Sequence, residues 1–401
     1  MSAKATSWVM AAALLLAGCA GAPVSTDATQ TTASASPSSA ATASPGPKAT
    51  PLPLLGPMPT STLDAATASR LEGVLEAIVA SGKPDVIAAV ITPQGTWSGA
   101  AGIDGPGGRK AAPADVAAIA SVGKMLEAAL VERLAEQGKL DLDAPLATYL
   151  GGLDVDANGA TIRQALAMRS GIGDTPGEIN DQVSADCGHA WTRAEVLAAI
   201  PAPHASPGAQ FKYSNPTYKL LGYAIESVTG QPLATALEEG ILAPAGVGER
   251  ILLPGFGWQA PRPWALPIAG HTGGMALDQF GRGGALPCLS HAMFSLNTGM
   301  SGDMPSLARW GWAFFAGQLV GPATVAEMLP AADEDTFGLG VEQWMDFGVP
   351  TYGHAGNKPG YKTALIYQPY KGAVLALVIN DAEADVISAS RRILDVLSVP
   401  K

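Results

Sequence analysis

Apolar positions along the chain fall into two periods, and the change from one to the other marks out the elements. Leu71, Val74, Leu75 and Ile78 recur at helical spacing after Thr62, and Gly82-Lys83-Pro84 stops the pattern, which predicts an amphipathic helix. Residues 86–92 and 96–102 are strand-like and are joined by Pro93-Gln94-Gly95, which predicts a β-hairpin. A second helix opens at Ile119-Ala120-Ser121 and runs apolar through Leu134 to Gly138. Residues 140–150 with their Asp-rich turn follow, and further helical segments are expected at 162–168, 193–200, 218–228, 233–241 and 306–315. Strand signals return at 352–356, 363–368 and 374–379, before a closing helix at 386–397. Strands at both ends with helices between them predict an α/β (α+β) fold. Its sheet would be largely antiparallel, built from both termini, with a mostly helical insertion over roughly residues 125–300.

The first 61 residues follow neither period. Lys4 supplies a positive start, residues 8–17 form a short apolar core, and Leu16-Ala17-Gly18-Cys19 resembles the lipobox of bacterial lipoproteins. Residues 1–18 are therefore expected to be a lipoprotein signal peptide, with Cys19 acylated and the protein exported and held on the outer side of the cell membrane by lipid. The alternative is an ordinary secretory peptide with an incidental Cys19. Residues 19–61 are dominated by Ala, Ser, Thr and Pro and are expected to be a disordered tether, because such a segment buries too little apolar surface to offset its ordering entropy. The folded domain would then be 62–401.

Composition narrows the function. A chain of 401 residues, 47% hydrophobic and 15% charged, is long enough for a large core. A net charge of −11, with no basic run, argues against a nucleic-acid partner. No stretch after the N-terminus reaches the roughly 18 apolar residues of a membrane span. The five histidines are scattered without paired spacing, so neither metal nor other cofactor is expected.

The chemistry points to Ser121. On a helix starting there, Lys124 lies one turn on, so its amine can take the proton of the Ser121 hydroxyl while the helix N-terminus favours negative charge. A second Ser-x-x-Lys, Ser398 to Lys401, shows that the spacing alone decides little. Tyr213-Ser214-Asn215 precedes the helix at 218 and offers a phenol to carry protons and an amide to hold a carbonyl. Tyr213 or Lys124 could each be the base, as a coupled pair. The plainer reading is a tyrosine in a turn beside a helix-capping asparagine. A strand ending in glycine would let backbone N–H groups approach a substrate oxyanion. Three stretches compete: His271-Thr272-Gly273 has no strand pattern after it, Lys358-Pro359-Gly360 has proline where a donor is wanted, and His354-Ala355-Gly356 follows Thr351-Tyr352 and is preferred.

Taken in order, Ser121-x-x-Lys124, Tyr213-x-Asn215 and His354-x-Gly356 resemble the three motifs of class C β-lactamases, D-alanyl-D-alanine peptidases and the related family VIII esterases. Gly138 to Asp143, Arg169-Ser170-Gly171-Ile172, Leu220 to Tyr223 and Pro359-Gly360-Tyr361 resemble further landmarks of that superfamily. The resemblance implies a β-lactamase/transpeptidase-like fold and a Ser121 acyl-enzyme, with Lys124 and Tyr213 sharing proton transfer. It implies that Asn215 holds the acyl-side amide, that the N–H groups of Ser121 and Asn357 form the oxyanion hole, and that His354 helps balance charge. The pattern departs from lysine and threonine at His354 and Ala355, which weakens carboxylate recognition. An ester or amide without a carboxylate is then expected, with a D-Ala-D-Ala peptide or β-lactam as alternatives and a non-catalytic envelope binding protein as the rival class. Lys358 could supply a substitute cation. Partners are expected to be a small-molecule or cell-wall peptide substrate and the membrane through lipid, with the chain a monomer. Cys187 and Cys288 suit one disulfide or two buried thiols, and residues 255–284 carry no assigned role.

Overall fold

The computed structural model describes residues 55–104, 109–186, 189–248, 250–252, 270–272, 275–277, 299–330, 336–358 and 360–398, all within one compact unit, Ala49–Lys401. The signal peptide, Cys19, Cys187, Cys288 and most of 255–284 lie outside the described residues.

Both termini build one sheet. Strands β1 (Asp85–Thr92), β2 (Gly95–Asp104) and β3 (Arg109–Lys110) come from the N-terminal part. The C-terminal part supplies β9 (Glu342–Trp344), β10 (Thr351–Lys358), β11 (Tyr361–Gln368) and β12 (Ala373–Ile379). The order is β3-β2-β1-β12-β11-β10-β9, with every neighbour antiparallel. The central pair is β1 with β12, so the two ends of the folded chain close the sheet on each other, Val86 opposite Ile379 and Ile91 opposite Val374.

Each central strand is buried on both faces, which is why it reads as a continuous apolar run. Val86, Ala88 and Val90 face one core with Leu375, Leu377 and Ile379, beneath helix α1 (Ala65–Ala80) and the closing helix Val386–Leu394. Ile87, Ala89 and Ile91 face the other core, with Val374, Ala376 and Val378. The two-residue period of a strand thus sorts one sequence into two packing layers. Asp64 caps α1 by accepting from Thr67 N, and Gly82 at φ +96 turns the chain out of it.

The second core surrounds α2 (Val122–Glu136), of which every residue from Val122 to Glu132 is buried. Because every face is buried, apolar residues lie all round it, interrupted only by the buried Lys124, Glu127 and Glu132, and the sequence shows little amphipathicity. Helix α2 is met by α6 (Asn215–Thr229) and α7 (Leu233–Leu237), which continues into a π-helical turn, Glu238–Leu242; α3 (Ile162–Leu166) packs on α6, and α4 (Gly177–Ala185) and α5 (Arg193–Ala198) add Val183 and Val196 to the same core. Helices α8 (Met304–Phe315) and α9 (Pro322–Met328) complete the layer, and Val386–Leu394 is α10. Among the described residues no helix is long and apolar enough to cross a membrane.

Four features differ from the sequence expectation. The tether does not extend to residue 61: Leu55 is buried, Gly56 O accepts from Trp312 Nε1 at 3.1 Å, and Ser61 O accepts from Thr96 N at 2.9 Å. Average composition over the segment conceals one leucine that a neighbouring surface can cover. A small sheet, β4 (Ala117–Ala118) and β5 (Ile251–Leu252) on either side of β8 (Ser301–Gly302), holds the chain just before Ser121. His271 does lie in a strand, β6 (Gly270–Thr272), paired with β7 (Met275–Leu277). Helices α4 and α9 also add to the expected set. Strands of two or three residues are too short to display a period.

Candidate active site

Ser121 stands at the point where β4 turns into α2. Ala120, immediately before it, has φ +50, a left-handed conformation that disfavours an alanine and is held here by complete burial. Ser121 occupies the N-cap position of α2, yet its side chain makes no capping bond. A serine there ordinarily spends its oxygen on the helix. Instead its oxygen lies 3.0 Å from Lys124 Nζ, and its hydroxyl donates to the phenol oxygen of Tyr213, a bond that lowers the tyrosine pKa.

Lys124 is fully buried, and that burial brings its pKa down to about 7, with the nearby Lys358 charge adding to the shift and Glu127, Asp174 and Glu342 opposing it. A neutral amine is therefore well populated at neutral pH beside the serine. Its other contact is Asn215 Oδ1 at 2.7 Å, and it sits 4.9 Å from the centre of the Tyr213 ring. Burial raises the Tyr213 pKa far more than its bond to Ser121 lowers it, and Glu342 and Asp174 push the same way. The pair left open by the sequence is thus separated by environment: the amine holds the basic lone pair and the phenol keeps its proton.

Asn215 is not the cap of its helix. Ser214 caps α6 by accepting from Thr217 N, and Pro216 fits the first turn. Asn215 is held instead by Asp174, whose carboxylate accepts from Asn215 N at 3.0 Å and from Nδ2 at 3.0 and 3.2 Å. An amide whose nitrogen is fixed by a carboxylate can present only its oxygen to Lys124. The Arg169 to Ile172 turn positions this pair, since Ser170 Oγ bonds Thr217 Oγ1 at 2.7 Å and Gly171, at φ +77, leaves no room for a side chain, with Ala205 O 2.1 Å from where its Cβ would be. Asp174→Ala is expected to free the amide to flip and to lower kcat about tenfold, with KM for a small ester little changed, as steady-state kinetics will show.

The third wall is the edge of β10. A Cβ on Gly356 would come within 2.6 Å of Ile119 O and 3.3 Å of Ser121 N, so glycine lets this strand lie against the Ser121 backbone. Gly356→Ala is expected to push the two apart, costing about 1–3 kcal/mol of stability in urea unfolding and most of the hydrolytic rate. Strand β9 pairs with β10 only as far as Gly353, and its chain then folds back through the Phe337–Glu342 bridge. Glu342 accepts from Ala355 N at 3.0 Å. Backbone N–H groups alternate along a strand, so Asn357 N–H points to the same edge as Ala355 N–H, past the end of β9. It is thereby aimed at the cavity of about 470 Å³ that Ser121, Tyr213, Asn215, Gly356 and Asn357 line.

His354 is placed differently from the charge-balancing role implied by resemblance. It is completely buried, its pKa is lowered chiefly by that burial, and its Nδ1 lies 2.6 Å from Ala355 O. A carbonyl only accepts, so Nδ1 carries the proton and the ring is neutral. Its face packs with Tyr213 and Phe337. Asp174 and Glu342 escaped the sequence reading. Asp174 could have been noticed as the polar residue ending the Gly171-Ile172-Gly173 turn, whereas Glu342, on a three-residue strand, left no signal. Among the described residues no group of three or more His, Cys, Asp or Glu comes together as a metal site.

Comparison with known proteins is consistent across sequence and fold. The family described as Beta-lactamase matches residues 61–398. A relative from Escherichia coli O157:H7 bearing the name "Putative D-alanyl-D-alanine carboxypeptidase" is 27% identical over 266 residues, a match spanning 56% of this chain and 60% of that protein. The crystal structure of a D-amino acid amidase from Ochrobactrum anthropi SV3 has a similar fold, with a TM-score of 0.71 at 22% identity, covering 83% of this chain and 98% of the amidase. A D-stereospecific amidohydrolase from Streptomyces sp. gives 0.64 at 26% identity over 82% of this chain and 98% of its own.

Proposed function

The chain belongs to the β-lactamase family of serine hydrolases, and from that premise we propose that it hydrolyses an ester or amide through an acyl-enzyme on Ser121. The observation that carries the reading is the buried Lys124 amine, 3.0 Å from the Ser121 hydroxyl and with a pKa near 7. Lys124 takes the hydroxyl proton as Oγ attacks the carbonyl carbon. The oxyanion is met by the N–H groups of Ser121 and Asn357, a device whose loss typically costs about 10²–10³ in rate. Asn215, its nitrogen locked by Asp174, turns Oδ1 to Lys124, and the second lone pair of that oxygen accepts from an acyl-side N–H. The leaving group departs with the proton of Lys124 passed through the Tyr213 phenol; in deacylation the same phenol relays the proton of the attacking water to Lys124, which returns it to Ser121 Oγ as the acyl C–O bond breaks. Tyr213 is a relay and not a standing base, because burial favours its protonated form.

The substrate is one without a carboxylate: Ala355 has no hydroxyl, and His354 is neutral where a cation would be needed. The names of its relatives favour a second reading within the same chemistry, cleavage of a D-amino acid amide or a D-Ala-D-Ala peptide. Leu16 to Cys19 and the Pro-rich segment support a lipid anchor outside the cell; the test is metabolic labelling with a radioactive fatty acid, which should disappear in Cys19→Ser.

The deciding experiment is intact mass after incubation with a fluorophosphonate and, separately, a penicillin. One adduct from the fluorophosphonate, absent in Ser121→Ala, supports the hydrolase, and an adduct from neither reagent favours a binding protein. Cleavage of a cephalosporin or a D-Ala-D-Ala peptide much faster than p-nitrophenyl esters would overturn the substrate assignment.

A further inference from the structure

We propose that Glu127, buried behind the cavity, is the counter-charge for the ammonium formed when Lys124 takes the Ser121 proton. The inference rests on the Ser121 acyl-enzyme reading and adds a residue that sets how readily its base becomes charged. Glu127 is not among the residues that line the cavity, so it is a positioning residue that acts through Lys124.

Glu127 lies one helical turn beyond Lys124 on α2, and both residues are completely buried. Residues three apart on a helix share a face, with Cβ atoms roughly 5–6 Å apart, and long side chains lean towards the N-terminus of their helix. Lys124 accordingly reaches Ser121 at 3.0 Å, and Glu127 leans after it into the turn below. Helix α6 forms the opposite wall of this seam. Tyr218 sets its ring centre 5.9 Å from Lys124 Nζ. One turn further along α6, Gly222 faces Glu127: a Cβ there would stand 3.5 Å from Glu127 Oε1 and 3.0 Å from Leu233 Cδ2 of α7. The missing side chain leaves the carboxylate room in the seam.

Of the charges that act on Lys124, Glu127 is the strongest, ahead of Asp174, Lys358 and Glu342. The other titratable groups around the pair come from every element packed on it. Helix α6 brings Tyr218, whose hydroxyl donates to Leu166 O at 2.8 Å, and Lys219, whose pKa burial lowers to about 7. Tyr213 precedes α6, Asp174 precedes α4, and Glu342 stands on β9. Strand β10 adds His354 and Lys358, both with pKa values lowered by burial. Lys362 of β11 and Asp385 before α10 line the cavity itself. Helix α7 has no charged residue, and Glu238 and Glu239 after it are exposed. Glu132, further along α2, makes the contrast: burial first, and then the carboxylate of Glu327, raise its pKa to about 7. Glu127 has a lysine one turn away instead. With Lys124 charged and Glu127 ionised the buried pair has no net charge, so the state that follows serine attack costs less than a lone buried cation. No proton passes to Glu127 in this step; its charge is what acts, and the two groups titrate as a coupled pair.

The test is the rate at which a fluorophosphonate modifies Ser121, followed by intact mass from pH 5 to pH 9 in the wild-type chain, Glu127→Gln, Glu127→Met and Glu127→Asp. The wild-type rate should rise through pH 7 and level off, so that the rate at pH 6 is about one-tenth of that at pH 8. Glutamine keeps the shape and removes the charge, so the rise should move down by about one pH unit or more and the ratio should climb to about one-half. The plateau should fall about threefold to tenfold, because a less basic amine is a poorer proton acceptor. Glu127→Met carries the same expectation and stands in should the glutamine variant not fold. Glu127→Asp keeps the charge and should hold the rise near pH 7. A rise that stays at pH 7 without the carboxylate, whatever the plateau does, marks Glu127 as a packing group and overturns the proposal while leaving the Ser121 reading intact. A rise displaced as far in Glu127→Asp as in Glu127→Gln overturns it as well. A wild-type chain that forms no adduct at any pH removes the reading and the proposal together.

Discussion

Ser121→Ala is expected to lower kcat by at least about 10⁴-fold and to abolish any covalent adduct, while the unfolding midpoint changes little. Removal of a nucleophile that works as a unit with its base costs nearly the whole of the covalent route, leaving only what binding and the oxyanion donors supply. Stability should be spared because the Ser121 side chain does not cap α2, so the helix loses no capping bond. The contrast is diagnostic. A serine that served the helix would cost about 1 kcal/mol on truncation and leave turnover untouched. Single-turnover kinetics and thermal melting on the same preparation separate the two.

Lys124→Met is expected to lose about 10²–10⁴ in rate, the range of a positioned base, and yet to fold more stably at pH 6. The sign follows from proton linkage. Lys124 has a folded pKa of about 7 against the ordinary lysine value of 10.5, so below pH 7 the folded chain must carry a buried charge. That penalty is fully present below pH 7 and is relieved as pH rises from 7 to about 10.5. It is roughly 4–5 kcal/mol at its upper bound. The lost contacts to Ser121 and Asn215 offset part of the gain, leaving about 1–2 kcal/mol in favour of methionine at pH 6. Urea unfolding should therefore favour the methionine variant at low pH and, once the penalty is relieved near pH 10, the wild type, which alone keeps the contacts to Ser121 and Asn215. In the active chain, log kcat/KM should rise with unit slope below pH 7 and level off above it, because only the neutral amine accepts the serine proton. A flat profile between pH 5 and 8 would mean that some other group is the base.

Apolar periodicity carried much of the fold. The amphipathic α1, the first hairpin, α6 and the three C-terminal strands were legible because each repeats its pattern over seven or more residues. Short elements were not: β4, β5, β8 and β9 are pairings of two or three residues whose stability comes from partners far along the chain. The same holds for Leu55, whose burial depends on a surface assembled elsewhere.

The site divides along a similar line. Which residues could do chemistry was readable from local order, because a hydroxyl and an amine one helical turn apart must share a face, and because the three motifs follow one another in a familiar sequence. What each group does was not readable, because it depends on burial and on neighbours remote in sequence. Asp174 orients Asn215 across 41 residues. Burial among α2, α6 and β10 lowers the pKa of Lys124, raises that of Tyr213 and lowers that of His354. The sequence by itself determined the candidate nucleophile, the order of the motifs and the strands at both ends of the chain, all of which rest on short-range spacing. Only the tertiary structure decided the protonation states and placed Glu342 at the cavity, because desolvation and charge–charge interaction act through space and leave no trace in chain order.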